Sequence, residues 1–171
     1  PKTDNDPASY SKFKMAASAT GNVNLFNALF PRTRANGIGG VLNLHGEGDT
    51  DQYIVNLAGQ GDALINVLDN GAPDNGVDTL IINGTNTGDT FLLRHDLVAL
   101  LNGFAQATGF AHAERVNYDE NINARLIVNG LGGNDTFVVD DNSAITTLDG
   151  GDGNDTFQIG QVFGTPRDAA A

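Results

Sequence analysis

Residues 150–158 read Gly-Gly-Asp-Gly-Asn-Asp-Thr-Phe-Gln, and residues 130–138 read Gly-Leu-Gly-Gly-Asn-Asp-Thr-Phe-Val. Both stretches carry Gly at the first and fourth positions, Asp at the sixth and Phe at the eighth. Apolar residues alternate on either side: Leu126 and Val128 before the first turn, Phe137 and Val139 after it, then Leu148, Phe157 and Ile159 around the second. A period of two on both sides of a Gly-rich turn spells strand, turn, strand, with alternate side chains on one buried face.

Working outward, the core of this unit, Gly followed at +5 by Asp and at +7 by an aromatic residue, occurs four times. The copies are Gly46, Asp51, Tyr53; Gly84, Asp89, Phe91; Gly130, Asp135, Phe137; and Gly150, Asp155, Phe157. The glycines are 38, 46 and 20 residues apart, which reads as two coils of 19, two coils with a six-residue insertion, and one coil of 20. A repeat of about twenty residues is the length of one solenoid coil. The expected fold is therefore all-β, a right-handed parallel β-helix or β-roll-like solenoid with coils of ~20 residues, the four copies stacking in register. Asp62–Leu68 and Glu114–Tyr118 are degenerate middle coils. Asn-Gly pairs at 36–37, 70–71, 75–76, 83–84, 102–103 and 129–130 are expected to supply positive-φ positions at tight turns.

Residues 150–158 are a full match to the nonapeptide G-G-x-G-x-D-x-U-x, and on these residues the chain resembles the haemolysin-type, RTX-like calcium-binding repeats of large secreted bacterial toxins, adhesins and surface proteins. The resemblance covers Leu126–Gln161 well and Val41–Arg94 faintly; Leu131 stands where the second glycine belongs. It implies Ca²⁺ held between turns stacked one coil apart, with Gly130, Gly132, Gly133, Asp135, Gly150, Asp152, Gly153 and Asp155 as the metal-binding residues. It also implies a secreted or cell-surface location. The chemistry suits the residues, since glycines allow turn carbonyls to point inward and Asp adds a charged oxygen for a hard cation. Asp135 and Asp155, brought within about 5 Å by stacking, would repel by roughly 1–3 kcal/mol without an ion. The other reading of the same residues is that both aspartates close their turns by accepting backbone N–H groups.

Composition agrees with turns and strands. Eighteen Asp, twenty Asn and 22 Gly stand in 171 residues, with only three Glu. The net charge is −12, and all three lysines (Lys2, Lys12, Lys14) precede residue 15. Nucleic acid is not an expected partner, because phosphate neutralisation needs the opposite sign. Cysteine is absent, so disulfides do not define the compartment. Apolar runs such as Leu97–Leu101 are far too short to span a membrane.

No phosphate loop, H-E-x-x-H or Ser-His-Asp arrangement is present. His45, His95 and His112 share no repeat position, and the pairs Asp49/Asp51 and Asp140/Asp141 fall where turns would place them. The expected function is non-catalytic, a structural or adhesive segment that meets neighbouring repeats or copies of itself, with surface glycans as further partners. The alternative is a calcium-dependent β-helix that binds or modifies polysaccharide, with Arg94, Arg115 and Arg125 as candidate basic groups. Residues 1–40 are expected to form an arm or the end of a preceding unit, 41–161 the solenoid with an insertion near 95–115, and 162–171 a tail. The insertion reads as a short amphipathic helix or an irregular coil placed on one corner.

Overall fold

In a computed structural model, the described residues are 38–59, 61–69, 76–105 and 109–166. The chain divides into two units, 1–37 and 38–171; the arm expected over the first of these and the last five residues of the tail lie outside the described residues. Among the described residues there are eleven strands and no helix, an all-β architecture.

The strands are β1 (Val41–Leu44), β2 (Gln52–Asn56), β3 (Leu64–Val67), β4 (Thr79–Asn83), β5 (Thr90–Arg94), β6 (Leu97–Ala105), β7 (Gly109–Tyr118), β8 (Arg125–Asn129), β9 (Thr136–Val139), β10 (Thr146–Asp149) and β11 (Thr156–Ile159). They form a seven-stranded sheet in the order β1-β3-β7-β6-β5-β9-β11 and a four-stranded sheet in the order β10-β8-β4-β2. Every pairing is parallel except β5 with β6 and β6 with β7. Apart from the β5–β6–β7 meander, the chain crosses from one sheet to the other at every turn.

The alternation in the sequence explains the core. In β2, β4 and β8 every second residue is buried, and these residues face their counterparts across the gap between the sheets. Leu80, Ile82, Leu126, Val128, Phe91 and Phe137 exclude water completely. Register places Phe91 beside Phe137 and Phe137 beside Phe157, with ring centroids 5.0 Å apart in both pairs and interplanar angles of 11° and 6°. That separation is close to the strand spacing of about 4.8 Å, so parallel in-register pairing stacks the rings without further adjustment.

Two expectations are corrected here. Gly84 and Gly130, 46 residues apart, are immediate neighbours, because the Gly84 amide donates to the Asn129 carbonyl at 2.8 Å. The surplus chain between them is β6 and β7, which lie inside the seven-stranded sheet instead of forming a helix or a corner insertion. Leu97, Val98, Ala99, Leu100 and Leu101 serve both faces of that sheet: Val98 and Leu100 enter the main core, while Ala99 and Leu101 join Leu92 and Val138 in a second cluster on the outer face, with Phe163 against it. The other correction concerns the first copy. Gly46, Asp51 and Tyr53 lie on the turn from β1 to β2, which leads into the four-stranded sheet, whereas the other three copies lie on turns leading out of it. Three copies stack, and the first faces the opposite edge.

Candidate functional site

The three stacked copies show why Gly, Asp and an aromatic recur at this spacing. Each Asp immediately precedes a strand, and its carboxylate folds back over the glycine five residues earlier. A Cβ at Gly130 would sit 2.1 Å from Asp135 Oδ2, and one at Gly150 would sit 2.1 Å from Asp155 Oδ2. The other carboxylate oxygen reaches the neighbouring copy. Asp135 Oδ1 accepts the Asp89 N–H at 2.7 Å, and Asp155 Oδ1 accepts the Asp135 N–H at 2.9 Å. The next amides complete the pattern, Thr136 donating to the Asp89 carbonyl and Thr156 to the Asp135 carbonyl, both at 2.8 Å. An aspartate ladder therefore runs Asp89, Asp135, Asp155, in which Asp135 and Asp155 join one turn to the next through backbone N–H groups, and Asp89 also accepts the Thr85 N–H within its own turn at 2.6 Å.

The eight residues named as calcium ligands do come together. Gly132 pairs with Asp152, and the Gly130 and Gly133 amides donate to the carbonyls of Asp149 and Asp152 at 2.7 and 2.8 Å. The Asp152 amide donates to the Leu131 carbonyl at 3.0 Å. Hydrogen bonds between the two turns thus engage three of the carbonyls. Among the buried side-chain oxygens of these turns, Asp135 Oδ2 makes no hydrogen bond and is open to a cation. Burial pushes the Asp135 carboxyl above the usual carboxylate range; the Asp89 N–H draws it back, and the charges of Asp89 and Asp155 add to the rise. One orphaned oxygen fits a metal in part. At position 131 the backbone is left-handed (φ 77°), matching Gly151 (φ 80°), so Leu131 holds a conformation that glycine takes freely.

The Asn-Gly pairs do not act as expected throughout. Gly76 has positive φ, but Gly84 and Gly130 do not, and Glu47, Asp49 and Leu131 take left-handed conformations instead. Asparagines at the last or next-to-last position of strands work through their side chains. Asn129 donates to Asn83 and Asn83 to Asn56 at 2.8 and 2.9 Å, while Asn117 donates to Asn66 and Asn66 to Asn43 at 2.7 and 2.8 Å.

No family model, curated protein or solved structure matches the chain.

On the opposite edge the same device recurs with a difference. Asp51 precedes β2 and Asp78 precedes β4; the Asp51 N–H donates to Asp78 Oδ1 at 2.8 Å, and the Asp78 N–H donates to Asn123 Oδ1 at 3.0 Å. Two residues beyond the paired Leu44 and Val67, the neighbouring turns carry Gly46 and Asp69. An aspartate therefore stands where the motif has glycine, and Asp51, Asp69 and Asp78 bring carboxylate oxygens within 4.8 Å of one another. Asp69 and Asp78 are buried. Tyr53 lies in the same place: burial first, then the charges of Asp69, Asp51 and Asp78, push its phenol up to about 12.

Sequence reading included Asp51 and Tyr53 in the first copy and missed Asp69 and Asp78. A signal for Asp78 was present, since Asp78-Thr79-Leu80 repeats the Asp-Thr-apolar pattern of Asp89-Thr90-Phe91, Asp135-Thr136-Phe137 and Asp155-Thr156-Phe157. Nothing in the neighbourhood of Asp69 marks it.

The candidate basic residues are spread over both sheets. Arg94, at the end of β5, pairs with Asp140 at 2.8 Å. Arg115, on β7, donates to Asn117, and Arg125, on β8 of the other sheet, donates to Thr147 at 2.8 Å. The His95 carbonyl accepts from the Ser143 hydroxyl and the Tyr118 hydroxyl, at 2.6 and 2.7 Å.

Proposed function

We propose that the chain is a non-catalytic structural segment of an exported calcium-binding repeat protein: a right-handed parallel β-solenoid whose role is to stack end to end with further repeats or with another copy of itself. The observation that carries this reading is the state of the ladders at β11. The aromatic stack Phe91, Phe137, Phe157 and the carboxylate ladder Asp89, Asp135, Asp155 both continue to the last strand of the sheet and stop there. Phe157 is 49% exposed, and Ile159 on the same strand is exposed as well, as are Ile145 before β10 and Val162 after β11. Open strand edges with apolar side chains are templates for further pairing. The occupant that continues both ladders is another turn of the same kind, offering an aromatic ring at one strand spacing and a carboxylate for the Asp155 amide. Calcium enters this reading at the stacked glycine turns, supported by the resemblance of residues 150–158 and by the orphaned Asp135 Oδ2.

Sedimentation velocity over a hundredfold concentration range tests the stacking. Wild type should associate as concentration rises, and Phe157→Lys with Ile159→Lys should remain monomeric with an unchanged circular dichroism spectrum. A wild type that stays monomeric throughout would remove end-to-end association. A second reading, glycan binding without turnover, is favoured by the amide ladder Asn43, Asn66, Asn117 on the outer side of its sheet, next to exposed Arg115. Retention on immobilised uronic-acid polysaccharide, lost in Arg115→Ala, would support it.

A further inference from the structure

We propose that Asp51, Asp69 and Asp78 form a binding site for a hard divalent cation of the calcium type, on the edge of the fold opposite the glycine turns and outside the nonapeptide motif. The reading does not depend on stacking or on an ion at Asp135 and Asp155.

The three carboxylates come from two turns, brought together by the pairing of β1 with β3 and of β2 with β4. Their oxygens all lie within 4.8 Å of one another. Three oxygens no more than 4.8 Å from one another share a point within about 2.8 Å of each, a few tenths of an ångström from the 2.3–2.6 Å of a Ca²⁺–oxygen bond, so a small side-chain adjustment lets one ion reach all three. A set made only of oxygens suits calcium better than zinc or copper, which prefer nitrogen and sulfur.

A cluster of acids alone would not make a site, since exposed aspartates gather in turns for other reasons. Here a second group points the same way. Tyr53 is 9% exposed, and its phenolic oxygen makes no hydrogen bond. The Gly46 amide lies near that oxygen and acts on it electrostatically without making a hydrogen bond of good geometry. A Cβ placed on Gly46 would meet the Tyr53 hydroxyl at 2.1 Å and Asp51 Oδ2 at 2.5 Å, so the hydroxyl and the carboxylate converge on one point. Asp51 Oδ2 is likewise buried without a hydrogen bond. Buried oxygens without donors are costly unless something positive takes the place of the donors. The equivalent position in the ladder beyond Asp78 is the neutral Asn123, while Asp119 and Glu120 of the same turn add further negative charge nearby.

The chain has three Tyr and no Trp, so Tb³⁺ excited through tyrosine reports an ion near one of them, and loss of that emission in Tyr53→Phe assigns it to Tyr53. The experiment uses the full chain, with Tb³⁺ luminescence, calorimetric titration with Ca²⁺, and a melt in EDTA to confirm that each variant folds. Wild type should bind saturably, with Ca²⁺ displacing Tb³⁺. Asp69→Asn and Asp78→Asn should each weaken binding roughly tenfold or more. Tyr53→Phe should keep the calorimetric binding while the emission per bound ion falls. Asp155→Asn should leave this site's binding and emission unchanged. Absence of saturable binding in wild type would overturn the proposal. So would binding that is lost in Asp155→Asn and kept in Asp69→Asn and Asp78→Asn, which would assign the ion to the glycine turns. If the aspartate variants fail to fold, Tyr53→Phe decides, because unchanged emission per ion would place the metal elsewhere.

Discussion

Asn102 gives Asp89 and Thr90 the donor and acceptor that the Asp89 backbone gives Asp135 and Thr136. Its side-chain amide donates to the Asp89 carboxylate and accepts the Thr90 N–H at 2.9 Å. In the next copy those positions are filled by the Asp89 N–H and the Asp89 carbonyl. The meander interrupts the stacked turns at this point, and one amide side chain on β6 stands in for the missing peptide. Asn102→Leu removes both bonds and leaves Asp89, which is buried, with fewer donors. The expected loss is about 1–3 kcal/mol by denaturant titration. Asn102→Asp should cost more, because it replaces the donor with a like charge.

Leu131 pays for its left-handed backbone without the gain of a buried side chain, since it is exposed. Glycine removes the steric conflict, worth ~1–2 kcal/mol, and returns part of it as unfolded-state entropy. Leu131→Gly should therefore stabilise the fold by about 1 kcal/mol, visible as a rise of a few degrees in melting temperature. Gly151→Leu should do the reverse by a larger amount, because its Cβ would also meet the Leu131 carbonyl oxygen at 2.2 Å.

The aromatic stack should be unequal in its contributions. Phe137 is sealed between two rings and Phe157 is half exposed. Phe137→Ala should cost about 3–5 kcal/mol, and Phe157→Ala less than half of that, in the monomeric protein. Equal losses would mean that the β11 end is covered in solution.

Titration of Asp135 gives a signed pH dependence in the chelated protein. Its folded value lies above the ordinary 3.8, chiefly through burial, so the folded state binds this proton more tightly than the unfolded chain does. The stability it contributes is full below the unfolded value and is lost as pH rises through the folded one. Asp119, also raised by burial, adds in the same direction. Asp135→Asn keeps an oxygen for the Asp89 N–H and removes the titration. Melting temperatures from about pH 3 to 7 in EDTA should therefore fall less with rising pH in Asp135→Asn than in wild type. Parallel curves for the two proteins would contradict this account.

Residue pattern alone determined the all-β character and the stacking of 130–138 on 150–158, because strand alternation is local and two nearly identical turns 20 residues apart have the same shape to offer each other. It also carried the alternative reading in which Asp135 and Asp155 accept backbone N–H groups. Only the tertiary structure decided where the first copy belongs. A Gly, Asp and aromatic at fixed spacing describe how a turn closes and say nothing of which sheet follows it, so Gly46–Tyr53 could occupy the opposite edge with the same motif. Spacing likewise could not separate two extra coils from a meander, since β6 and β7 consume chain without advancing the stack by a matching copy. The juxtaposition of Asp51, Asp69 and Asp78 depends on register between strands up to 27 residues apart, and register is set by which faces bury their side chains, a property of the assembled sheets.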